Sequence, residues 1–234
     1  MNATELRALL EEDLSWRIGE LRHLRNSLLG DLDRDDWPAS ALRAILVMQY
    51  AHLEGFARYA FTLYVDAINS RSLPADVLQT GLFASACIPE FDAVRLGPGN
   101  DQESEHGRLT RRAQDQVAFV EKVRSLHKLP LQLDAKHAVA MDMNFGRDVL
   151  RRTLFRLAIP EDKVRKSYYE SVEFVRRTRN DISHGSRKEK IPLGEFESNV
   201  KQCEQFMNDL AALITAAVQG EWYMITPSAT AETN

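Results

Sequence analysis

The sequence has little of what marks secreted, disulfide-bonded or membrane-spanning proteins. It has only two cysteines, Cys87 and Cys203, which lie far apart without metal-ligand or redox spacing. We therefore expect buried thiols in a reducing compartment and no disulfide framework. No apolar run approaches the ~20 residues of a membrane span, and the first residues alternate polar and apolar side chains instead of forming a signal peptide. These absences predict a cytoplasmic protein that does not enter a membrane.

Features of metal and nucleotide sites are also absent. His106, His127 and His137 lie in or beside segments predicted to be irregular, and they lack metal-ligand spacing. The stretch RLGPGNDQ has a loop composition but lacks the strand and helix of a nucleotide cradle. The formal net charge of −4 argues against binding nucleic acid over the whole surface. The sequence therefore predicts no metal ion and no cofactor, and confines any contact with a polyanion to a local patch.

Helical periodicity is what the sequence has in abundance. Leucines recur at steps of three or four through much of residues 6–28, and residues 41–69 are apolar on more than one face. The second segment is predicted to be a central helix that is touched on several sides. Further helices are predicted near 111–126, 146–159, 161–184 and 194–218. No strand pair is convincing, so the predicted fold class is all-α, a helical bundle.

The predicted bundle carries one long insertion and a short tail. Residues 92–110 lose periodicity and gain glycine and charge, so we expect a mobile surface loop there, within an insertion over about 92–142. Pro89 is predicted to stop the helix that precedes this loop. We expect a single domain over residues 1–222 and a disordered tail over residues 223–234.

An arginine interrupts an apolar stripe in the last third of the chain. Val164, Tyr168, Val172 and Val175 are spaced by three or four residues and share one helix face. The next position in that series is Arg179, so a guanidinium occupies a place where another valine is expected. Such a group is costly in an apolar setting unless it meets a carboxylate, a phosphate or a water-filled cleft.

Positive charge collects around this arginine. The stretch from Arg176 to Lys190 contains six basic and two acidic residues in a chain of net charge −4. Such a patch can attract an anion over roughly 8 Å. His184 lies at its centre and is followed by Gly185, which suits the left-handed position just after a helix. In a purely structural alternative, Arg179 pairs with a buried carboxylate and His184 caps the helix.

The segment Arg179-Asn180-Asp181-Ile182-Ser183-His184 resembles the R-x-x-x-x-H motif of the HEPN superfamily, helical bundles many of which are metal-independent ribonucleases. The resemblance is closest to stand-alone prokaryotic MAE-type HEPN nucleases. These share an RN-x-I-[AS]-H-G ending and an earlier helix similar to LVMQYAHLEGFARYAFTLYV. The resemblance covers about residues 40–70 and 144–218. It implies a HEPN-type helical bundle with the long insertion between the central and the motif-bearing helices.

The resemblance also implies an activity. Endoribonucleases of this kind cleave RNA by attack of the ribose 2′-OH on the adjacent phosphate, often as toxins or defence proteins. Arg179 would bind the scissile phosphate and stabilise the transition state. His184 would act as general acid or base, and Asn180 would orient the histidine or the phosphate. RNA is then the expected partner, with an antitoxin or regulatory protein as a further one; no metal is required because the RNA supplies the nucleophile.

The spacing within the motif bears on oligomeric state. Arg179 and His184 are five residues apart, so a straight helix separates them by ~7.5 Å of rise and ~140° of rotation. Either the helix distorts between Asn180 and Ser183, or two copies of the motif combine across a dimer. HEPN proteins are dimers with a shared cleft, which matches the second solution. We therefore expect a two-fold homodimer with a composite active site.

Several residues are candidates for supporting roles. Glu54 lies in the most apolar helix, where an unpaired carboxylate is expensive, and it is a candidate to orient Arg179. Tyr50 and His52 are expected to pack or to support the site. The RNA-binding candidates are Arg176, Arg177, Arg187 and Lys188. Two other functions stay open: a catalytically inactive HEPN module that binds nucleotide, RNA or a protein partner through the same groove, and a purely structural bundle.

Overall fold

Nine α-helices and three short 3-10 turns account for most of the residues that the structure describes. The computed structural model describes residues 1–30, 32–96, 105–126, 129–141 and 144–225. The helices are α1 Ala3–Leu29, α2 Ala39–Asn69, α3 Thr80–Ala86, α4 Ile88–Leu96, α5 Glu105–Leu126, α6 Ala135–Ala138, α7 Arg147–Arg156, α8 Lys166–Ser183 and α9 Leu193–Gln219. Within those ranges the extended pairing consists of two isolated bridges, Pro74 with Pro130 and Leu78 with Met224. The predicted all-α class is confirmed.

The long helix α2 is the centre of the bundle. It packs against α1, α8 and α9, and α9 also packs against α1 and α8. Because three neighbours cover α2, its buried residues lie on more than one face, as its apolar composition predicted. One stripe of α2 stays open to solvent and is marked by the exposed residues Ala44, Ala51 and Arg58. This stripe forms the floor of the site described below.

The start of α1 and the end of α8 are each set by local hydrogen bonds. The Asn2 side chain accepts from the Glu5 backbone N–H, and the Glu5 carboxylate accepts from the Asn2 N–H, which is a capping box. At the end of α8, Gly185 has a φ of +71°. The backbone N–H of Ser186 donates to the Asp181 carbonyl, an arrangement that closes a Schellman motif. The prediction for Gly185 is confirmed.

The prediction of a mobile loop over residues 92–110 is wrong where the structure describes them. Helix α4 continues to Leu96, and α5 already begins at Glu105; residues 97–104 lie outside the described residues. Pro89 does not stop a helix but lies in the first turn of α4, where its missing N–H costs nothing. Helix α5 packs mainly against α4, so its surface is largely charged and carries little apolar periodicity.

The C-terminal boundary also differs from the prediction. Tyr223, assigned by the sequence to the tail, is only 1% exposed. The Ile225 backbone N–H donates to the Val77 carbonyl at 2.8 Å, so residues 223–225 belong to the fold. Residues 226–234 lie outside the described residues. Across the described ranges, no helix combines the length and the apolar character needed to cross a bilayer.

Candidate active site

Arg179 ends the apolar stripe of α8 at the edge of the core. Tyr168, Val172 and Val175 on the same face are each 2% exposed or less, whereas the Arg179 side chain is 23% exposed. The sequence placed Val164 in the same stripe. Val164 is buried, but it precedes α8 and is therefore not part of the helical stripe. The Arg179 guanidinium therefore lies at the edge of the core, where neighbouring helices no longer cover α8 completely.

The Arg179 guanidinium meets an aromatic ring and a carboxylate of α2. Its central carbon lies 4.0 Å from the centre of the Tyr50 ring, a distance at which a cation is attracted to the aromatic face. Arg179 Nη2 lies 3.9 Å from Glu54 Oε2, and Glu54 also binds Arg58 at 2.8 Å. The Glu54 side chain is 14% exposed, so two arginines compensate a largely buried carboxylate.

Tyr50 supports the arginine as a neutral ring. The residue is 4% exposed, and its hydroxyl is buried without a hydrogen bond of acceptable geometry. Burial, followed by the neighbouring Glu54 carboxylate, raises the pKa of the Tyr50 hydroxyl to about 12. The hydroxyl therefore keeps its proton at neutral pH. What Tyr50 offers to Arg179 is the face of an uncharged ring.

These residues line a cleft of about 490 Å³ on the open stripe of α2. Its walls are formed by Val47, Tyr50, Ala51, Glu54, Gly55, Arg58 and Arg179. The floor consists of small apolar residues. The guanidiniums of Arg58 and Arg179 and the carboxylate of Glu54 surround it. Sequence reasoning missed Arg58 as a lining residue. A signal was available, because positions 47, 51, 54 and 58 recur at the three- and four-residue steps of one helix face.

Helix α1 packs on α2 next to the cleft, and we call its Trp16–Arg17 edge the α1 wall. A Cβ atom on Gly55 would lie only 2.7 Å from Arg17 Nη1, so the Arg17 guanidinium packs directly on the Gly55 backbone. Arg17 Nε and Nη2 donate to the Asp13 carboxylate at 2.6 and 3.2 Å. The same guanidinium lies 4.6 Å from the centre of the Trp16 ring. An arginine stacked on an aromatic ring therefore stands on each side of α2.

His184 does not join this cleft within one chain. It occupies the C-cap of α8, where its backbone N–H donates to the Asn180 carbonyl at 2.9 Å, and its side chain is exposed. Helix α8 stays regular through Ser183, so the expected ~140° of rotation between positions 179 and 184 is kept. The described residues that line the Arg179 cleft do not include His184.

The family model described as MAE_28990-like HEPN matches residues 6–223 of the chain. The chain belongs to the HEPN superfamily. The match confirms the MAE-type resemblance. It also extends the resemblance over α1 and over residues 75–140, two segments in which the sequence showed little of the family's pattern. No curated protein and no solved structure matches the chain. Membership of this family suggests a nuclease of the ribonuclease type.

Three other residues in or beside the HEPN motif, Arg176, Arg177 and Asn180, are held by neighbours outside the cleft. Asn180 Nδ2 donates to Asn144 Oδ1 at 3.5 Å, and Arg176 Nη1 donates to the same oxygen at 3.1 Å. Arg176 and Arg177 both bind the Glu173 carboxylate. The hydrogen bond from Arg176 is the main reason why the pKa of Glu173 falls to about 2. These contacts fix the start of the motif against the loop before α7.

The remaining RNA-binding candidates lie away from Arg179. Arg177 and Arg187 line a second groove, of about 480 Å³, together with Glu170, Glu173 and Asp181. Lys188 is exposed, and its carbonyl accepts from Arg43 Nη1 at 2.6 Å, which ties the segment after the motif to α2. The basic patch of the sequence is therefore divided between two faces of α8.

Side chains of the kinds that bind metal ions are dispersed over the described residues. Among the described residues, no three His, Cys, Asp or Glu side chains lie together in such a group. Cys87 and Cys203 are both buried free thiols, and burial raises the pKa of each.

Proposed function

We propose that this HEPN protein is a metal-independent endoribonuclease that acts as a homodimer, in the manner of a toxin or a defence nuclease. The observation that supports the proposal most directly is the position of Arg179. Its guanidinium leaves the core at the mouth of a cleft, supported from below by the Tyr50 ring and from the side by Glu54. A forked cation presented in this way can bind two oxygens of a phosphodiester.

The proposed reaction needs only groups that the protein and the RNA carry. The ribose 2′-oxygen attacks the adjacent phosphorus, the bond from phosphorus to the 5′-oxygen breaks, and a 2′,3′-cyclic phosphate remains. A base accepts the 2′-OH proton, and an acid gives a proton to the leaving 5′-oxygen. Arg179 stabilises the charge that gathers on the phosphoryl oxygens. His184 supplies one of the two proton transfers.

The geometry of α8 supports a site shared by two chains. Arg179 points into the cleft on α2, and His184 stands exposed at the helix end on a different side. A two-fold arrangement that brings two α8 ends together supplies the cleft of one chain with His184 of the partner subunit. Asn180, held by Asn144, then positions the backbone of the RNA strand that lies across both subunits. Single-stranded or looped RNA is the expected substrate because in-line attack needs a flexible backbone.

Cleavage of a labelled single-stranded RNA in the presence of EDTA tests this proposal. We expect cyclic phosphate ends from the wild type, and losses of about 10²- to 10³-fold for Arg179→Ala and about 10²- to 10⁴-fold for His184→Ala. Arg95→Ala is the matched control, because that guanidinium is 74% exposed and lies on α4, away from the cleft and from α8. Equal activity of the wild type and His184→Ala contradicts the enzyme and favours an inactive binding module.

A mixture of the two inactive variants tests the shared site. A heterodimer of Arg179→Ala and His184→Ala chains retains one intact arginine and one intact histidine, on different subunits. If the site is composite, co-refolding the two variants restores cleavage that neither shows alone. Co-refolded chains that stay inactive, or a protein that sediments as a monomer at micromolar concentration, would sink the dimer proposal.

A further inference from the structure

Trp16 is held in one orientation while half of its surface faces solvent. The residue is 50% exposed. Its indole N–H donates to Asp13 Oδ1 at 3.1 Å, the Arg17 guanidinium lies 4.6 Å from its ring centre, and the His52 ring meets it edge-on at 5.3 Å. Three neighbours therefore fix the plane of a ring that the core does not cover.

The other tryptophans behave differently. Trp37 and Trp222 are partly buried and pack against the core. A large aromatic side chain gains most when it is buried, and one left in water is typical of a binding surface. The contacts of Trp16 keep its ring in place without covering it. A ring fixed in this way loses little conformational freedom when a flat ligand stacks on it.

Trp16 lies beside the Arg179 cleft. The Arg17 guanidinium connects the two, because it packs on Gly55, which lines the cleft, and on the Trp16 ring. Arg179 and Tyr50 stand on the other side of α2. A helix with its side chains is about 10 Å across, so a strand whose phosphate lies at Arg179 can place a nearby base on Trp16.

The charge of this wall favours a base over a phosphate. Residues 11–20 of α1 contain four carboxylates and one arginine, and that arginine is already bound by Asp13. A phosphate is repelled by such a surface, whereas an uncharged flat base is not. The opposite wall carries the guanidinium of Arg179. The two sides of the cleft therefore suit the two different parts of one nucleotide chain.

We infer that Trp16 is a stacking platform for a nucleobase of the RNA strand whose phosphate binds at Arg179. The inference rests on the proposed function in that the ligand is RNA, but it concerns binding and not cleavage. Stacking of a base on an aromatic side chain tolerates any sequence, because every base has a flat π-face. The platform thus adds affinity and sets the direction of the strand across α2 without selecting a sequence.

Tryptophan fluorescence tests the platform directly. In the Trp37→Phe/Trp222→Phe protein, Trp16 is the one remaining tryptophan of the three in the sequence. The probe is a 2′-O-methyl oligoadenylate of about six nucleotides, a length within the usual site size, which binds but has no 2′-OH to attack. We expect the oligonucleotide to quench Trp16 emission, and the same backbone with abasic positions to leave the emission unchanged.

Affinity measurements complete the test. Trp16→Ala is expected to weaken binding of the same oligonucleotide roughly 5- to 100-fold, and Trp16→Tyr to restore most of the loss because it keeps a stacking ring. Phe155→Ala is the matched control, since Phe155 is 80% exposed but lies on α7 and lines another groove. Its affinity should equal that of the wild type.

The outcomes separate this inference from the proposed activity. Quenching without cleavage of unmodified RNA keeps the platform and rejects the ribonuclease. Cleavage without quenching, with unchanged affinity of Trp16→Ala, rejects the platform and keeps the ribonuclease. Absence of oligonucleotide binding rejects the platform. Emission that changes with protein concentration and not with RNA also rejects it, because Trp16 then lies between protein chains.

Discussion

The two arginine–aromatic pairs that flank α2 are built from the same groups but arranged in opposite ways. On the α1 side, Arg17 is held by Asp13 at 2.6 Å, with both side chains at most 16% exposed, and the aromatic partner Trp16 is half in solvent. On the α8 side, Tyr50 is buried, and Arg179 reaches the cleft. One pair presents its ring, and the other presents its cation.

The difference follows from where the partners lie in the sequence. Asp13 and Arg17 are one helical turn apart, so the helix itself brings them together and the pair is local. Arg179 and Tyr50 come from α8 and α2, so their contact exists only after the bundle has packed. We therefore expect the Arg17 guanidinium to stabilise the fold and the Arg179 guanidinium to serve the site.

Removing each guanidinium should separate these roles most clearly. Arg17→Met leaves the Asp13 carboxylate largely buried without its cation, and we expect the free energy of unfolding in urea to fall by about 2–4 kcal/mol. Arg179→Met keeps an apolar stem at the edge of the core and should change that free energy by less than about 1 kcal/mol.

The control for the first substitution is its carboxylate partner. In the double variant Asp13→Asn/Arg17→Met no buried charge is left behind, so more than half of the lost stability should return. Equal losses for Arg17→Met and Arg179→Met would show that the two pairs do not differ in the way described.

Tyr50 should matter through its ring and not through its hydroxyl. Tyr50→Phe keeps the face under Arg179 and removes a hydroxyl that is buried without a good hydrogen bond. We expect unchanged RNA cleavage and equal or higher stability. Tyr50→Leu removes the cation–π contact, which at 0.5–2 kcal/mol corresponds to a loss of roughly 2- to 30-fold in kcat/KM. A loss of the same size in Tyr50→Phe would instead assign the effect to the hydroxyl.

The sequence predicted the helices in which apolar residues recur along the whole of one face. The helix predicted near 194–218 is α9, and its apolar face is buried at Phe196, Val200, Cys203, Met207, Leu210 and Ile214. The sequence missed α4 and the first six residues of α5, because these two helices pack mainly on each other at the surface and carry weak periodicity. The end of α8 was predicted because Gly185 acts through its backbone angle and local hydrogen bonds.

The site was predictable only in part, for a related reason. The spacing on α8 identified Arg179 as a charge at the end of an apolar stripe. The apolar composition of α2 identified Glu54 as a carboxylate in an apolar helix, but the sequence went no further. It could not show that Tyr50 lies beneath the arginine or that Arg17 and Trp16 form the other wall. Those contacts depend on how α1 and α8 lie against α2, and a one-dimensional periodicity does not contain the relative placement of helices.

Gly55→Ala should disturb the α1 wall without unfolding the protein. The new Cβ would lie 2.7 Å from Arg17 Nη1, so the guanidinium must move away from Gly55. Because alanine favours a helix by about 1 kcal/mol over glycine, the net change in stability should stay within about 1 kcal/mol. We expect altered Trp16 emission and a few-fold weaker RNA binding.

Gly19→Ala is the matched control for that substitution. A Cβ on Gly19, in the same helix as Arg17, would meet nothing within 4 Å, so the change should add about 0.5–1 kcal/mol of stability. Trp16 emission should stay as in the wild type. If Gly55→Ala behaves in the same way as Gly19→Ala, Arg17 is not held against α2 and the two walls are not coupled.

The smallest expected effect is a pH dependence on the α1 side. His52 meets Trp16 edge-on, and the charged groups that face it are Glu20, Arg17 and Asp13. Burial lowers the pKa of His52, and Glu20 partly opposes this shift. Below the ordinary pKa of histidine, ~6.5, the unfolded chain therefore binds more protons at this position than the folded one, and stability falls as the pH falls.

Urea titrations between pH 7 and 5 can assign this slope, since ~6.5 is where an unfolded histidine titrates. His52→Gln should flatten the dependence, because no proton is taken up at that position on unfolding. Glu20→Gln should make it steeper, because the folded state loses the carboxylate that favours the charged imidazole. An identical slope in the wild type and His52→Gln would place the proton uptake on other groups. In that case the Arg17–Trp16 pair would not respond to pH in this range. The Arg179–Tyr50 pair is expected not to respond around neutral pH either, because Tyr50 keeps its proton there.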